Sequence, residues 1–318
     1  MTNINTKTAR ADDTMPMPGL PTAVPVTGGT LTVDQFLPPG DQPELVVLAI
    51  HGITSNGMIW RPVARDLMQI APASVLAPDL RGRGDNAGLP GPYGIAAHVS
   101  DMVSLLDTVG AERAILVGHS MGAYVAARLA AEHPERTAGV VLVDGGTHVS
   151  RLTEEAAAAV HGFLVGPAIM RHAMPFVSVQ AYLDFWRSHP AFTDAWNDDV
   201  EAFVLHDLTG RPGGFRYVIN VEAIETDSDN MLTCAADHDW VDEIQAPLRL
   251  LRARYGTMGE KQPLIEQREL DEFSAGHPEA EVEDVCDVNH YTILLGEGPG
   301  SSRVAAAIAA VAQRAARA

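Results

Sequence analysis

The chain contains 318 residues, of which 46% are hydrophobic and 20% are charged, and it carries a formal net charge of −19. This composition is typical of a soluble globular protein with room for one large core and an inserted subdomain. The negative charge argues against nucleic acid and membranes as partners, because nucleic acid and anionic membrane surfaces repel an acidic protein. Cys234 and Cys286 are too few for a disulfide framework, and no metal-ligand spacing is present. We therefore predict two free thiols, no metal and no other cofactor.

The composition of residues 1–24 predicts a flexible tail. It has no apolar stretch of the kind found in secretory signals, and it contains Asp12, Asp13 and several prolines. We therefore expect neither a signal peptide nor a membrane anchor in this segment, and we expect a cytoplasmic protein. The first strands are expected at 31–36 and 45–50, on either side of a proline-glycine turn.

The next segments alternate between strands and helices. Helix-like runs at 58–70 and 95–109 alternate with strand-like runs at 74–77, 114–117 and 138–143, as in a mostly parallel, doubly wound α/β sheet. The alternation stops after Asp144 and resumes with strands at 247–251 and 281–285. In between, helix-like runs at 153–164, 179–188 and 198–207 predict a helical cap. The predicted organisation is thus a core of residues 25–146 and 241–318 with a cap of residues 147–240, and the chain ends in an alanine-rich helix at 301–318.

Residues 118–122 follow the pattern G-x-S-x-G between a strand-like run and a helix-like run. In such a strand-to-helix elbow the serine occupies a tight, strained turn, and small residues stand two positions to either side because the backbone passes close to itself. This context makes Ser120 a candidate nucleophile. The alternative is a glycine-rich turn that holds a serine by chance.

A second feature is His51-Gly52, which directly follows the apolar run at 45–50. A loop in this place supplies one backbone N–H of an oxyanion hole, and the residue after the nucleophile supplies the other. We therefore predict Ile53 and Met121 as the two donors, with Thr54 and Ser55 as alternatives to Ile53. His51 itself is interpreted as a residue that shapes the loop.

The candidate general base is His290, on the loop that follows the strand at 281–285. A histidine placed there can accept the proton of Ser120 during attack and return it to the leaving group. Eleven other histidines compete for the role, but position in the chain favours His290 because the histidine of such a triad comes last.

Taken in order, four motifs give the chain a clear resemblance to the α/β-hydrolase family. They are His51-Gly52, the run of residues 79–84, Gly118-His119-Ser120-Met121-Gly122 and Asn289-His290. The resemblance covers roughly residues 25–318 and implies an eight-stranded sheet with a serine-type active site, but not a particular substrate. An aspartate in place of Ser120 would have suggested a dehalogenase or an epoxide hydrolase.

The triad acid departs from the commonest family pattern, in which an aspartate follows the penultimate core strand. Residues 252–260 contain no aspartate, whereas the strand at 138–143 ends in Asp144, and some members of the family carry the acid there. We therefore predict Asp144 as the residue that orients His290, with Glu260, Asp284 and Asp287 as alternatives. Asp79, in the arginine-glycine turn, is interpreted as structural because a carboxylate there can accept hydrogen bonds from turn N–H groups.

The resemblance implies acyl transfer to water, and we expect hydrolysis of a carboxylic ester or lactone of an uncharged, moderately hydrophobic small molecule. Two alternatives stay open: cleavage of a carbon–carbon bond by the same triad, and a non-catalytic receptor for a small molecule built on this scaffold. The sequence leaves a homo-oligomer open as well.

Overall fold

The computed structural model describes residues 17–18, 21–38, 45–147, 153–237 and 239–317. Its strands, in chain order, are β1 Met17–Pro18, β2 Thr22–Val26, β3 Gly29–Leu37, β4 Leu45–Ile50, β5 Ala73–Pro78, β6 Ala114–His119, β7 Thr137–Val143, β8 Leu208–Thr209, β9 Arg216–Tyr217, β10 Leu248–Ala253 and β11 Glu281–Val285. Its α-helices are α1 Arg61–Ile70, α2 Ile95–Val109, α3 Met121–Glu132, α4 Glu154–Ala173, α5 Val179–Arg187, α6 Asp198–His206, α7 Val221–Asp237, α8 Gln267–Gly276 and α9 Gly300–Ala315.

One large sheet organises the core, with the strand order β1-β3-β5-β4-β6-β7-β10-β11 and with β2 paired to β3. The pairs from β5 to β11 are parallel, and the pairs that involve β3 are antiparallel. Apart from the two-residue β1, the part of the chain that the structure describes contributes eight strands to this sheet. The predicted fold class, a mostly parallel, doubly wound, eight-stranded sheet, is confirmed.

The central strands are apolar because both faces of the sheet are covered. Every residue of β5 and of β6 is buried. On the helical layers, α1 packs against α9 and α2 packs against α3, and both α3 and α9 contact β6 and β7. Continuous burial of this kind explains why the parallel strands read as unbroken apolar runs in the sequence rather than as alternating patterns.

Two predicted boundaries are wrong. Residues 22–24 of the predicted tail form the start of β2, in which Val24 is fully buried, and Met17–Pro18 pairs with β3. Residues 1–16 and 19–20 of the tail lie outside the described residues. The helix predicted to end at 164 continues to Ala173 through Pro167, and α7 has no counterpart in the prediction. In α4 tertiary packing overrides the local signal of Pro167, which is inside the helix.

The helices α4–α7 and the β8–β9 pair lie between β7 and β10, and we call residues 153–237 the insertion. The insertion packs on the loops that follow β4, β5 and β11. Asn56 Nδ2 donates to Phe203 O at 3.1 Å, and Asn289 Nδ2 donates to Ala191 O at 2.9 Å. Arg83 forms a fully buried ion pair with Asp227 of α7. These contacts put the insertion over the carboxyl ends of the parallel strands, where ligands bind in such sheets.

The structure also describes one of the two cysteines and the helices that could be compared with a membrane span. Cys286 is a free, exposed thiol, whereas the Cys234 side chain lies outside the part of the structure that is described. Across the described ranges, none of the helices combines the length and apolar character that a membrane span requires.

Candidate active site

Ser120 occupies the single-residue turn between β6, which ends at His119, and α3, which begins at Met121. Its backbone has φ 55° and ψ −123°, in a region that residues with a side chain rarely adopt. The N–H of Ser120 donates to Val143 O at 3.0 Å, so the end of β7 helps to hold the turn. The side chain is partly exposed. A strained, partly exposed serine is the arrangement that the G-x-S-x-G pattern predicts.

The glycines on either side of Ser120 are required by space. A Cβ atom on Gly118 would lie 2.2 Å from Gly122 O, and one on Gly122 would lie 2.1 Å from Ile50 O. Both distances fall well inside van der Waals contact with backbone atoms that cannot rotate away. The elbow therefore depends on glycine at both positions, for the reason that the sequence suggested.

Asp144 and His290 meet close to this turn, since a Cβ on the next residue, Gly145, would lie 2.5 Å from Ser120 O. His290 Nδ1 lies 2.7 Å from Asp144 Oδ2, and the Asp144 side chain is fully buried. Because an ionised carboxylate only accepts hydrogen bonds, Nδ1 carries the proton and Nε2 is left with a free lone pair. The other carboxylate oxygen, Oδ1, accepts the N–H of Ala253 at 3.0 Å. Asp144 has φ 48° and its own N–H donates to Leu251 O, so β10 fixes the acid on both sides.

The other candidate acids make different contacts. Glu260 is exposed and accepts the N–H of Met258. Asp284 forms ion pairs with Arg252 and Arg254. Asp287 is exposed at the surface. Of the four acids that the sequence offers, Asp144 is the one that the described structure brings to His290.

His119, the residue before Ser120, packs directly on His290, which the sequence did not predict. The two ring centroids are 4.4 Å apart, and His119 Nε2 donates to the backbone O of His290 at 2.9 Å. Burial, followed by the proximity of His290, lowers the pKa of His119 well below its usual value. A neutral His119 ring thus supports the loop that carries His290 without adding a second charge.

The loop after β4 holds the predicted oxyanion donor Ile53. His51 Nδ1 donates to Gly52 O at 2.7 Å, and Ser55 N donates to the same oxygen at 3.3 Å. Because C=O and N–H point in opposite directions across a trans peptide, these bonds aim the N–H of Ile53 the other way. Gly52 itself lies against the nucleophile, since a Cβ on it would be 3.4 Å from Ser120 Oγ.

The second predicted oxyanion donor is Met121, and the contacts of His51 show what that side chain does. Met121 is the first residue of α3, so its N–H has no partner within the helix. The Nε2 atom of His51 accepts the N–H of Leu80 at 2.9 Å, and burial lowers the pKa of His51 to about 4. A neutral imidazole that is bonded at both nitrogens fits the interpretation of His51 as a residue that shapes the loop.

Asp79 is the centre of a second buried network. Its carboxylate accepts the N–H groups of Gly57 at 2.7 Å and Asp85 at 2.8 Å, as expected for a structural turn residue. His206 of the insertion adds a bond of 2.7 Å from Nε2. Burial opposes both charges, but the pairing raises the pKa of His206 to about 10 and lowers that of Asp79 to about 2. Asp79, Asp85 and His206 are potential metal ligands by distance, yet these hydrogen bonds already occupy both Asp79 oxygens and His206 Nε2.

Comparison with known proteins identifies the family of this chain. The family model described as "alpha/beta hydrolase fold" matches residues 46–212, which is more than half of the chain. The chain belongs to the α/β-hydrolase family. The resemblance that the four sequence motifs indicated is therefore confirmed, and Ser120, at the strand-to-helix elbow, lies within the matched segment of this α/β-hydrolase.

Individual relatives of this α/β-hydrolase differ in what their names say they do. The lipase LipV of Mycobacterium tuberculosis is 43% identical over 98 residues, which cover 31% of this chain and 36% of that protein. Epoxide hydrolase B of the same organism is 42% identical over 108 residues, which cover 33% of this chain and 29% of that protein. The chain thus spans less than two thirds of the length of the curated relatives it matches.

A solved structure, that of E-2-(acetamidomethylene)succinate hydrolase, resembles this α/β-hydrolase over nearly its whole length. The TM-score is 0.70 at 20% sequence identity, and the match covers 92% of this chain and 98% of that one. A likeness at this level of identity shows the shared fold alone.

The sequence patterns did not indicate the polar residues that the insertion of this α/β-hydrolase brings to the core. His206 and Asp227 lie in segments of mixed polarity and contact partners 127 and 144 residues away. For α7 one local signal was available, because Asn220 accepts the N–H of Ala223 in the manner of a helix cap.

Proposed function

We propose that this α/β-hydrolase cleaves a carboxylic ester or lactone of a small molecule through an acyl-enzyme on Ser120. The observation that carries the proposal is the buried bond of 2.7 Å between Asp144 Oδ2 and His290 Nδ1. It fixes the tautomer in which Nε2 can act as a base, and both residues follow the carboxyl ends of parallel strands, as Ser120 does.

In this mechanism His290 accepts the hydroxyl proton of Ser120 while Ser120 Oγ attacks the carbonyl carbon. The N–H groups of Met121 and Ile53 stabilise the negative charge that develops on the carbonyl oxygen. His290 then gives its proton to the alcohol oxygen as the bond to the carbonyl carbon breaks, which leaves the acyl group on Ser120; the alcohol of an ester departs, whereas that of a lactone stays attached to the acyl chain. Water activated by His290 hydrolyses the acyl-enzyme by the same steps, and Asp144 stabilises the imidazolium each time. The cycle uses protein groups and water alone.

The choice of an ester or lactone has support from the relative named as a lipase. The triad geometry alone serves several acyl transfers and also the hydrolytic cleavage of a carbon–carbon bond, which remains the alternative. A receptor without catalysis is the weaker alternative, because it gives no reason for an oriented Asp144–His290 pair next to a strained serine. We further propose that the insertion acts as a cap, since it packs on the loops around Ser120 and His290.

The test is turnover of a small panel that contains ethyl butyrate, phenyl acetate and γ-butyrolactone, with wild type, Ser120→Ala and Ser302→Ala. Ser302 is an exposed serine on α9, which makes it a matched control. We expect wild type and Ser302→Ala to hydrolyse at least one member and Ser120→Ala to lose at least about 1,000-fold in kcat. Hydrolysis that survives in Ser120→Ala would contradict the proposal.

A further inference from the structure

Arg171, in the last turn of α4, is a buried cation that lies over two aromatic rings. Only 6% of the residue is exposed. Its guanidinium lies over the rings of Trp186, at 4.5 Å, and Tyr217, at 4.1 Å. In the described ranges of the chain no carboxylate forms an ion pair with it, and its Nε makes no hydrogen bond. A guanidinium cannot lose its charge, so its burial is costly without an anionic partner.

The surroundings of Arg171 contain further buried polar groups. Tyr182 Oη and Trp186 Nε1 are buried and lie close enough to interact with each other. Asp207, the carboxylate whose charge acts on Arg171 within the insertion, forms no ion pair with it, since its Oδ2 accepts Asn56 Nδ2 at 2.8 Å and its buried Oδ1 makes no hydrogen bond. Buried donors without acceptors are rare in folded proteins and call for a ligand or ordered water. The buried Nε–H of Arg171 is a donor without an acceptor on a permanently charged group, which favours an anion as its ligand.

Contacts connect this cluster to the reaction centre. Tyr217, which stacks on Arg171, donates its hydroxyl to Thr54 O at 3.3 Å, next to the proposed oxyanion donor Ile53. On the other side, Tyr291 packs on His290 with ring centroids 5.7 Å apart, and the ring of His189 lies 6.1 Å from that of Tyr291 and 5.4 Å from that of Trp186. Arg171 therefore lies on the side of the insertion that faces the proposed catalytic residues.

We propose that Arg171 binds a carboxylate of the substrate, so that the molecule cleaved at Ser120 is an ester or lactone that also carries a carboxylate. This inference rests on the proposed function and deepens it. The planar guanidinium can grip a carboxylate with two parallel hydrogen bonds, which positions the far end of the substrate while its carbonyl meets Ser120. It replaces the sequence-based expectation of an uncharged substrate.

The overall negative charge of the protein affects how an anionic substrate can bind. A net charge of −19 repels anions from the surface, so an anionic substrate needs a dedicated cation inside the binding region. Not every arginine of the insertion is a buried cation of this kind. Arg187 also lies over an indole ring, that of Trp196, but it is 40% exposed and pairs with Asp184 and Glu201. Arg187 is therefore a matched control for Arg171.

The experiment compares monoethyl glutarate with ethyl pentanoate, which have acyl chains of equal length but differ in the terminal carboxylate. Ethanol release is measured for wild type, Arg171→Gln, Arg171→Lys and Arg187→Gln, after circular dichroism has shown which variants fold. We expect wild type to prefer the carboxylate ester, and Arg171→Gln to lose about 100-fold in kcat/KM on that ester alone. Arg171→Lys should lose less than Arg171→Gln, because lysine keeps the positive charge but lacks the planar guanidinium that can make two parallel hydrogen bonds. Arg187→Gln should behave as wild type.

A binding measurement separates this inference from the proposed function. Calorimetric titration of Ser120→Ala with monoethyl glutarate should show binding that the additional Arg171→Gln change removes. If wild type hydrolyses neither ester but this binding is seen, the proposed ester hydrolysis is contradicted and the carboxylate site is supported. If wild type hydrolyses ethyl pentanoate as fast as the glutarate ester, the inference is overturned and the proposed function stands. That comparison needs no variant, so it decides the matter even if Arg171→Gln fails to fold.

Discussion

Asp144 and His290 are 146 residues apart in the chain, yet the carboxylate Oδ2 of one lies 2.7 Å from the imidazole Nδ1 of the other. They meet because β7 and β11 flank β10 in the parallel sheet, so the loops after all three strands emerge at the same edge. The Ala253 N–H, at the end of β10, then holds the second carboxylate oxygen. The sheet thus fixes the orientation of the histidine that we propose as the base.

The first prediction concerns the acid. Asp144→Asn should lower kcat about 10,000-fold while the fold is kept, because an amide facing Nδ1 favours the wrong histidine tautomer. Glu260→Gln is the control, since Glu260 is exposed and bonds only to its own loop. Steady-state kinetics of the two variants decide the assignment. Equal activity of both variants would show that Asp144 is not the triad acid.

The second prediction concerns the elbow. A Cβ on Gly122 would lie 2.1 Å from Ile50 O, so Gly122→Ala should destabilise the protein by about 3 kcal/mol or more. Gly162→Ala, in the middle of α4, meets no atom within 4 Å and should stabilise by about 0.5–1 kcal/mol. Urea unfolding of the two variants measures the difference. A Gly122→Ala protein as stable as wild type would rule out the close approach of α3 to β4.

The third prediction concerns His51. Removal of its side chain in His51→Ala releases Gly52 O and loosens the peptide that carries the Ile53 N–H. Because an oxyanion donor acts in the transition state, kcat should fall about 10–100-fold while KM changes little. Since the pKa of His51 is about 4, its titration should leave activity unchanged above pH 5. A rise in KM at unchanged kcat would instead place His51 in ground-state binding.

The fourth prediction concerns stability and pH. Pairing raises the pKa of His206 from 6.5 to about 10, so its contribution is complete below pH 6.5 and is lost as pH rises through 10. The pKa of Asp79 is lowered from 3.8 to about 2, so its contribution holds above pH 3.8 and is lost as pH falls through 2. His206→Gln should therefore cost about 3 kcal/mol at pH 6 and flatten the decline between pH 6.5 and 10.

The matched control for this prediction is His133→Gln. His133 forms an exposed pair with Glu135 at 3.5 Å, and such surface pairs contribute little to stability. Urea unfolding at pH 6, 8 and 9.5 compares the variants. A decline with pH that is as steep in His206→Gln as in wild type would contradict the assigned ion pair.

Much of the fold could be predicted from the sequence because its strongest signals are local. The unbroken apolar runs of β4 to β7 indicate strands buried on both faces, and the turn that contains Ser120 can be recognised from five consecutive residues. The approach of Asp144 to His290 could also be predicted, because the carboxyl ends of parallel strands share one edge. For the acid, the absence of an aspartate in residues 252–260 left Asp144 as the best placed candidate.

The contributions of the insertion could not be predicted in the same way. Arg171, His206 and Asp227 lie on helices whose polarity pattern does not distinguish a side chain that faces solvent from one that faces the core. The partners of His206 and Asp227 are set by how the insertion docks on loops more than 100 residues away, as in the contact of His206 with Asp79. The positive φ of Asp144, 48°, is likewise held by hydrogen bonds to β10 that the sequence does not reveal.

The most direct test of the central claim is covalent labelling of Ser120. Wild type, Ser120→Ala and Ser302→Ala are treated with a fluorophosphonate probe, and the adduct is located by mass spectrometry of the digested protein. We predict one adduct, on the peptide that contains Ser120, in wild type and Ser302→Ala, and none in Ser120→Ala. A folded wild-type protein that is not labelled, or an adduct that persists in Ser120→Ala, would contradict the assignment of Ser120 as the nucleophile.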